Sequence, residues 1–430
     1  MKLSLVSVGL QCISVCVPRC VTAFRTTVTD LLISEWIPSS VLYGISNLAF
    51  PLYISRGGIE NELHETSADT GARTLHSGPQ LSLMSKDETR ELMALWPDIL
   101  RDLTDGRHFD PINDKWITKV LQYNVPTGKK IRALALIYTY KILVPQDRAT
   151  EENLRLARIL SWCIEILQAY LLMCDDIQDR SEIRRGQLCW YLVNDRGLPA
   201  ISDCLMVEMC VYKLLKIHLK SHECYGVLQD LFLDTTYKTV MGQILDMYAT
   251  VRKPGEQIDF SRFTMDRMNN IMKHKTAYYT FVLPVQAAMH FVGIKDPELF
   301  RQAQTILIEM GQYFQVRDDY LDCYGDKEVT GKNSTDIAQG KCTWLIVVAL
   351  QRATQKQRKI LEECYGIADE EKVNRVMQVY DEIGLQNTFS IYDQETYNLL
   401  HTHIQQISRG LPHDIFLQLL KLVSKKQMER

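Results

Sequence analysis

The sequence is short of the residues that break helices. Its 430 residues include 13 Pro and 21 Gly, and no Pro falls between Pro297 and Pro412. So long a stretch without Pro favours helices. A surplus of either charge is also missing. Lys and Arg total 49 against 52 Asp and Glu, a net charge of −3, which lacks the basic excess of a general nucleic-acid binder. No nucleic-acid partner is expected. The twelve Cys form no framework, with no Cys-x-x-Cys pair and no Cys/His cluster at zinc spacing. Cys163, Cys174, Cys210 and Cys342 sit in apolar runs, as reduced core thiols do. No apolar run reaches the roughly 20 uncharged residues of a membrane span, so none is expected. With 46% hydrophobic and 23% charged residues, wholesale disorder is excluded.

The first 29 residues contain Lys2, Arg19 and Arg25, many Ser and Thr, and no acid before Asp30. Such a segment reads as a mitochondrial transit peptide, as an untargeted leader, or, through the apolar run Leu3–Val17, as a secretory signal. The many unpatterned Cys fit secretion poorly, which leaves a mitochondrial or cytoplasmic location. Residues 30–84 are expected to form a low-order linker to the domain; 56–85 are rich in Gly, Ser and Thr without periodicity, as linkers are. A domain over 85–430 is expected to open at Ser85-Lys86-Asp87-Glu88, which has the form of a capping box.

Helical patterns follow at Glu151–Met173, Ala200–Leu219, Leu228–Thr250, Met265–Val292, Pro297–Tyr320, Cys342–Arg352 and Glu370–Ile383. The first is apolar on most sides, which predicts a helix buried among others. No alternating strand pattern or repeat is evident, so the expected class is all-α, a single large bundle.

Two of these helices run into acidic clusters of the same form, Asp175-Asp176-Ile177-Gln178-Asp179 and Asp318-Asp319-Tyr320-Leu321-Asp322. Positions i and i+4 share a helix face, so Asp175 meets Asp179 and Asp318 meets Asp322. One cluster reads as well as a solvated helix end. Two copies, each after an apolar helix, point to a neutralising cation, and clustered carboxylates suit Mg²⁺ shared with substrate phosphates. Mg²⁺ between the clusters could clamp a diphosphate as a leaving group. Cations lie nearby in sequence: Lys129, Lys130 and Arg132 after a turn at Pro126, Arg184-Arg185, Lys275 beside Thr276, and Lys332 and Lys341. Arg forks and Lys point charges suit diphosphate recognition.

At these residues the chain resembles the trans-isoprenyl diphosphate synthases, farnesyl diphosphate synthases in particular. The matching segments include LQAYLLMCDDIQDRSEIRRGQLCWY, GQILDMY, KHKTAYYTFVLPVQAAM, GQYFQVRDDYLDCYGD and VTGKNSTDIAQGKCTWL. The resemblance implies the isoprenoid synthase type I fold, a helical bundle with a central cavity, and a homodimer. By motif, Asp175, Asp176, Asp179, Asp318, Asp319 and Asp322 would bind Mg²⁺, three ions bridging both motifs and the diphosphate. Arg184, Lys275 and Lys332 would hold the allylic diphosphate, with Lys341 also at the substrate. Thr276 and Gln315 would sit near the reacting carbons. Lys129, Arg132 and Arg185 would hold isopentenyl diphosphate, with Gln168 lining that region. Tyr170, Tyr279 and Phe314 could stabilise a carbocation by their ring faces or simply pack. Tyr170 and Leu171, just before the first motif, fall where product length is commonly set.

The departures from the family pattern gather on the isopentenyl side: Thr127, Ile131 and Ala133 in the basic turn, Ile183 before the Arg pair, and a weakly basic ending at Lys425–Arg430. Arg317 before the second motif is the exception. Intact ionisation machinery beside an altered second pocket leads to the expectation of a class I terpene synthase acting on a farnesyl-sized diphosphate. The alternative is a farnesyl or geranyl diphosphate synthase. A non-catalytic partner subunit, the third reading, would need neither Asp-rich motif.

Overall fold

The computed structural model describes residues 82–104, 110–252, 256–325, 336–407 and 410–424, all within one compact unit spanning 77–430. The expected leader 1–29, nearly all of the linker 30–84, Lys332 and the tail 425–430 lie outside the described residues.

The class is all-α. Helices α1 (Lys86–Ala94), α2 (Trp96–Thr104), α3 (Pro111–Asn124), α4 (Ile131–Leu143) and α5 (Glu151–Asp179) open the domain. A two-stranded hairpin follows, β1 (Ile183–Arg184) against β2 (Gln187–Leu188), then α6 (Ala200–Leu219) and α7 (Tyr225–Thr250). Next comes one continuous helix in three parts: α8 (Met265–Ile271), a π-bonded segment (Met272–Val282) and α9 (Leu283–Phe291). Helices α10 (Pro297–Tyr324), α11 (Asp336–Gln339), α12 (Trp344–Arg352), α13 (Gln355–Cys364), α14 (Glu370–Ile383), α15 (Leu385–Gln405) and α16 (His413–Ser424) complete it.

The centre of the bundle is α5. It starts at a Thr150 cap, whose hydroxyl accepts from Asn153 N–H, with Glu151 and Glu152 favourably placed in the first turn. From Ile159 to Ala169 every residue is buried. By length and composition this helix could cross a membrane, but its apolar faces are mostly covered by other helices of the bundle. Trp162 sits at its core, its ring 4.7 Å from that of Trp96 and tilted by 38°, with its indole N–H donating to Leu92 O at 3.0 Å.

Half of the expected capping box forms. The Ser85 hydroxyl accepts from Glu88 N–H, but the Glu88 carboxylate turns inward and does not cap. It takes Arg158 Nε at 2.7 Å and the Lys141 ammonium, pinning α1 to α4 and α5. Burial opposes its charge, yet the Arg158 and Lys141 hydrogen bonds hold its pKa below the usual carboxylate value. Breaking a buried pair from one side leaves charge without a partner. Glu88→Ala is therefore expected to lower the unfolding free energy by about 2–4 kcal/mol. Urea denaturation would show this, and a loss under about 0.5 kcal/mol would class the pair with ordinary surface pairs.

Candidate active site

Both acidic motifs lie inside helices, not beyond their ends. The first occupies the last two turns of α5 and the second the last two of α10. Helix α5 stops at Arg180, which takes a left-handed φ of 55°. The hairpin then turns on Arg185 (φ 54°) and Gly186 (φ 74°), the two-residue loop with both φ positive that suits hairpin twist. This returns Arg184 to the first motif. Its Nε and Nη2 donate to Asp176 Oδ1 at 2.9 and 2.6 Å, and Nη2 also reaches Asp175 Oδ2 at 3.2 Å.

A chain of alternating charges continues from there. Lys275 Nζ stands 3.1 Å from Asp175 Oδ1 and 2.6 Å from Asp246 Oδ2. Lys341 Nζ stands 3.1 Å from the same Asp246 oxygen and 2.7 Å from Asp179 Oδ2. Burial works against the Asp175 carboxylate, but Lys275, Lys341 and Arg184 outweigh it and hold its pKa low. Burial wins at Asp176 and at Asp179, where the Asp175 charge adds to it, and both pKa values rise. Asp246 is buried between two ammonium groups, which pull its pKa down to about 2 against desolvation. The sequence reading missed Asp246. Its signal was available in the matched segment GQILDMY, where it is the one charged residue, four residues after Gly242.

The second motif is tied differently. Thr276 Oγ1 donates to Gln315 Oε1 at 2.7 Å, and Gln315 Nε2 donates to Asp319 Oδ1 at 2.9 Å. The other Asp319 oxygen accepts from Trp344 N–H at 2.9 Å. Desolvation, with Asp318 and Asp322 close by, raises the Asp319 pKa to about 7 despite those two donors. Asp322 Oδ2 accepts from Asp336 N–H at 3.1 Å. Adjacent residues thus reach both motifs, Lys275 the first and Thr276 the second. Lys341 and Trp344 repeat the pattern across three residues of chain.

The basic turn before α4 is built around Arg185. Its Nη1 donates to Thr127 O at 2.8 Å and to Thr127 Oγ1 at 2.9 Å. Gly128 (φ 91°) lies directly beneath it, where a Cβ would come 2.5 Å from Arg185 Cζ. Lys129 lies in this turn. Lys130 turns inward and is buried, donating to Val125 O at 3.2 Å and lying 3.6 Å from Glu165. Arg132 donates to Thr280 Oγ1 at 2.8 Å and to Tyr279 OH at 2.9 Å. Its guanidinium covers the Tyr279 ring at 4.4 Å, so that face is already occupied by a cation from the protein. Phe314 packs edge-on to Phe281, and Tyr170 faces the Glu208 carboxyl on α6. Gln168 is buried on α5, two turns before Asp175.

Three departures have local partners. Thr127 uses its hydroxyl to accept from Arg185. Ala133 N–H donates to Glu165 Oε1 at 3.2 Å. Arg317 pairs with Asp393 on α15, which also accepts from Tyr313 OH at 2.8 Å.

The polyprenyl synthetase family matches residues 114–383. A farnesyl pyrophosphate synthase from Nezara viridula is 48% identical over 358 residues, covering 83% of this chain and 87% of that protein. One from Gallus gallus is 42% identical over 365 residues, 83% of this chain and 99% of that one. One from Homo sapiens is 40% identical, covering 82% and 84%.

Proposed function

Because the chain belongs to the polyprenyl synthetase family and is an enzyme of the prenyltransferase type, we propose that it condenses an allylic prenyl diphosphate with isopentenyl diphosphate to give farnesyl diphosphate. The observation that carries this reading is the basic turn. What supports the reading is that Thr127 and Gly128 seat Arg185, and that Arg132 is held by Thr280 and Tyr279. The departures in this turn were the ground for expecting a terpene synthase. The comparisons therefore favour the alternative over that first expectation.

The roles of individual residues belong to the same proposal. Arg184, Lys275 and Lys341 bind the allylic diphosphate, and Lys129, Arg132 and Arg185 the second diphosphate. Thr276 and Gln315 orient the reacting carbons. The residues present fit Mg²⁺. Asp175 Oδ1 is buried and accepts no hydrogen bond, although Lys275 lies near it. Asp175 with Asp179, and Asp318 with Asp322, would hold the metal. Asp176 Oδ1 accepts from Arg184, and the two Asp319 oxygens accept from Gln315 and the Trp344 N–H, so these two carboxylates also position the motifs. When bound, the metal neutralises charge on the departing diphosphate. The side chains then keep the allylic cation against the second double bond and away from water.

The test is incubation with Mg²⁺ and farnesyl diphosphate alone, and separately with geranyl diphosphate plus isopentenyl diphosphate. Elongation in the second tube without a volatile product in the first is expected. A hydrocarbon or terpene alcohol from the first tube, without elongation in the second, would establish the terpene synthase reading instead.

A homodimer is part of this proposal. Ile201, Leu205 and Met209 on α6, and Leu233, Tyr237, Met241, Ile244 and Tyr248 on α7, are exposed at helical spacing. These two apolar stripes match what a second copy would bury. Leu233→Glu with Tyr237→Asp is expected to halve the mass measured by light scattering. A native chain that already runs as a monomer would remove the dimer. The leader supports a mitochondrial or cytoplasmic location, which imaging of a tagged full chain would test.

A further inference from the structure

The π-bonded segment that carries Lys275 and Thr276 is held between two glycines. On α7, a Cβ at Gly242 would lie 2.6 Å from the His274 carbonyl carbon and 2.7 Å from Lys275 Cα. On α10, a Cβ at Gly311 would lie 2.5 Å from Ala277 Cα. Real Cβ atoms essentially never come so close, and at both positions the obstacle includes backbone, which cannot swing aside. Residues two apart on a helical segment do not share a face, so α7 and α10 bear on it from different sides.

From this geometry we infer that Gly242 and Gly311 are positioning residues for prenyl transfer. They fix the seat of the π-bonded segment, so that Lys275 meets Asp175 and Asp246 while Thr276 meets Gln315. The inference rests on the prenyltransferase reading above. The segment has little freedom to compensate. Lys275 is engaged at 2.6 and 3.1 Å on one side and Thr276 at 2.7 Å on another, so a shift that keeps one set of contacts loses the other. Long π-bonded runs are rare and cluster at functional sites, and this one would yield before the two regular helices against it. A misplacement of about 1 Å can cost on the order of 100-fold in rate.

The chemistry supplies a readout that loss of stability alone does not move. The allylic C–O bond breaks, and diphosphate leaves with the electron pair. The cation then either takes the double bond of isopentenyl diphosphate and loses a proton, or takes water and loses a proton to give the allylic alcohol. A displaced Thr276 loosens the grip on the reacting carbons, so the share of alcohol rises.

Full-length wild type, Gly242→Ala, Gly311→Ala and a control, Leu103→Ala, would be assayed with Mg²⁺, geranyl diphosphate and isopentenyl diphosphate. Leu103 is buried on α2, in a core cluster that includes no residue of the π-bonded segment. Per folded molecule, the glycine variants should elongate about 100-fold more slowly and raise the ratio of geraniol to farnesyl diphosphate at least about fivefold. The control should melt earlier at an unchanged ratio. Glycine variants with wild-type rate and ratio would overturn the inference. If Gly311→Ala does not fold, Gly311→Ala with Ala277→Gly, which removes one clashing carbon, must show the same shift. If wild type releases diphosphate but does not elongate, the prenyltransferase reading fails. Diphosphate release by the glycine variants relative to the control then decides the positioning inference by itself.

Discussion

Asp175→Ala is expected to lower turnover by on the order of 1,000-fold or more while leaving the helix intact. The carboxylate lies in the chain of charges between Arg184 and Lys275, and one of its buried oxygens accepts no hydrogen bond. Removing it takes away a metal ligand and a partner of both cations in one step. Ala is the best helix former, and position 175 lies within α5, so local structure should survive. Circular dichroism and steady-state rates on the same sample check both halves. Chelation of Mg²⁺ should mimic the variant in wild type, and added Mg²⁺ should restore wild type alone. Unchanged turnover in Asp175→Ala would sink the metal-clamp argument.

The elements that could be read from the sequence were those with a one-dimensional signal. Helices α6 and α14 match their expected bounds, and α7 begins three residues earlier than expected. Helix α5 was expected to end at Met173 and α10 at Tyr320. Both run on through their acidic motifs, to Asp179 and Tyr324. Repelling carboxylates look like a terminus in sequence, but in the first motif Arg184, from the adjoining hairpin, and Lys275 and Lys341, from distant segments, offset the repulsion, while Asp319 of the second is held by Gln315 and the Trp344 N–H. The same limit explains the π-bonded segment. The pattern Met265–Val292 reads as one helix, and its changed bonding accompanies a close approach of Gly242 and Gly311 that only packing reveals.

Within the site, residue type was legible and pairing was not. The Asp-rich motifs stand out by their repeated form and Arg184 and Lys275 by the family motif, and the structure brings these residues together. Tyr279 could be read as facing a carbocation or simply packing, and Arg132 covers it across 147 residues of chain. Glu88 was read as a cap, yet two cations some distance along the chain draw it inward. Arg317 was read as a departure near the second motif, and its reason is Asp393, 76 residues later. In each case a tertiary partner outbids the local one, because a charge-assisted hydrogen bond in a buried setting exceeds what a helix end can offer.

Outside the two motifs, the charge of Asp246 has the largest expected effect, because Lys275 and Lys341 share it. Asp246→Asn keeps the shape of the side chain and removes the charge that Lys275 and Lys341 share. Each lysine retains one carboxylate, Asp175 or Asp179, so the site should not come apart. Two buried ammonium groups would nevertheless face one another across a neutral amide, and the expected cost is about 3 kcal/mol of stability. Without its anchor, Lys275 should drift from the first motif and lower kcat by on the order of 100-fold. Dependence on pH separates this from a simple packing defect. The folded-state pKa of about 2 lies below the ordinary value of 3.8. The stabilisation from this charge is therefore complete above pH 4 and is lost as pH falls towards 2, amounting to about 2–3 kcal/mol. Wild type should lose about 1.5–2 kcal/mol more stability than Asp246→Asn between pH 4 and pH 2, the rest going below pH 2, measured by urea denaturation at each pH. Parallel pH profiles for the two proteins would mean that Asp246 is not the anion holding the two lysines together.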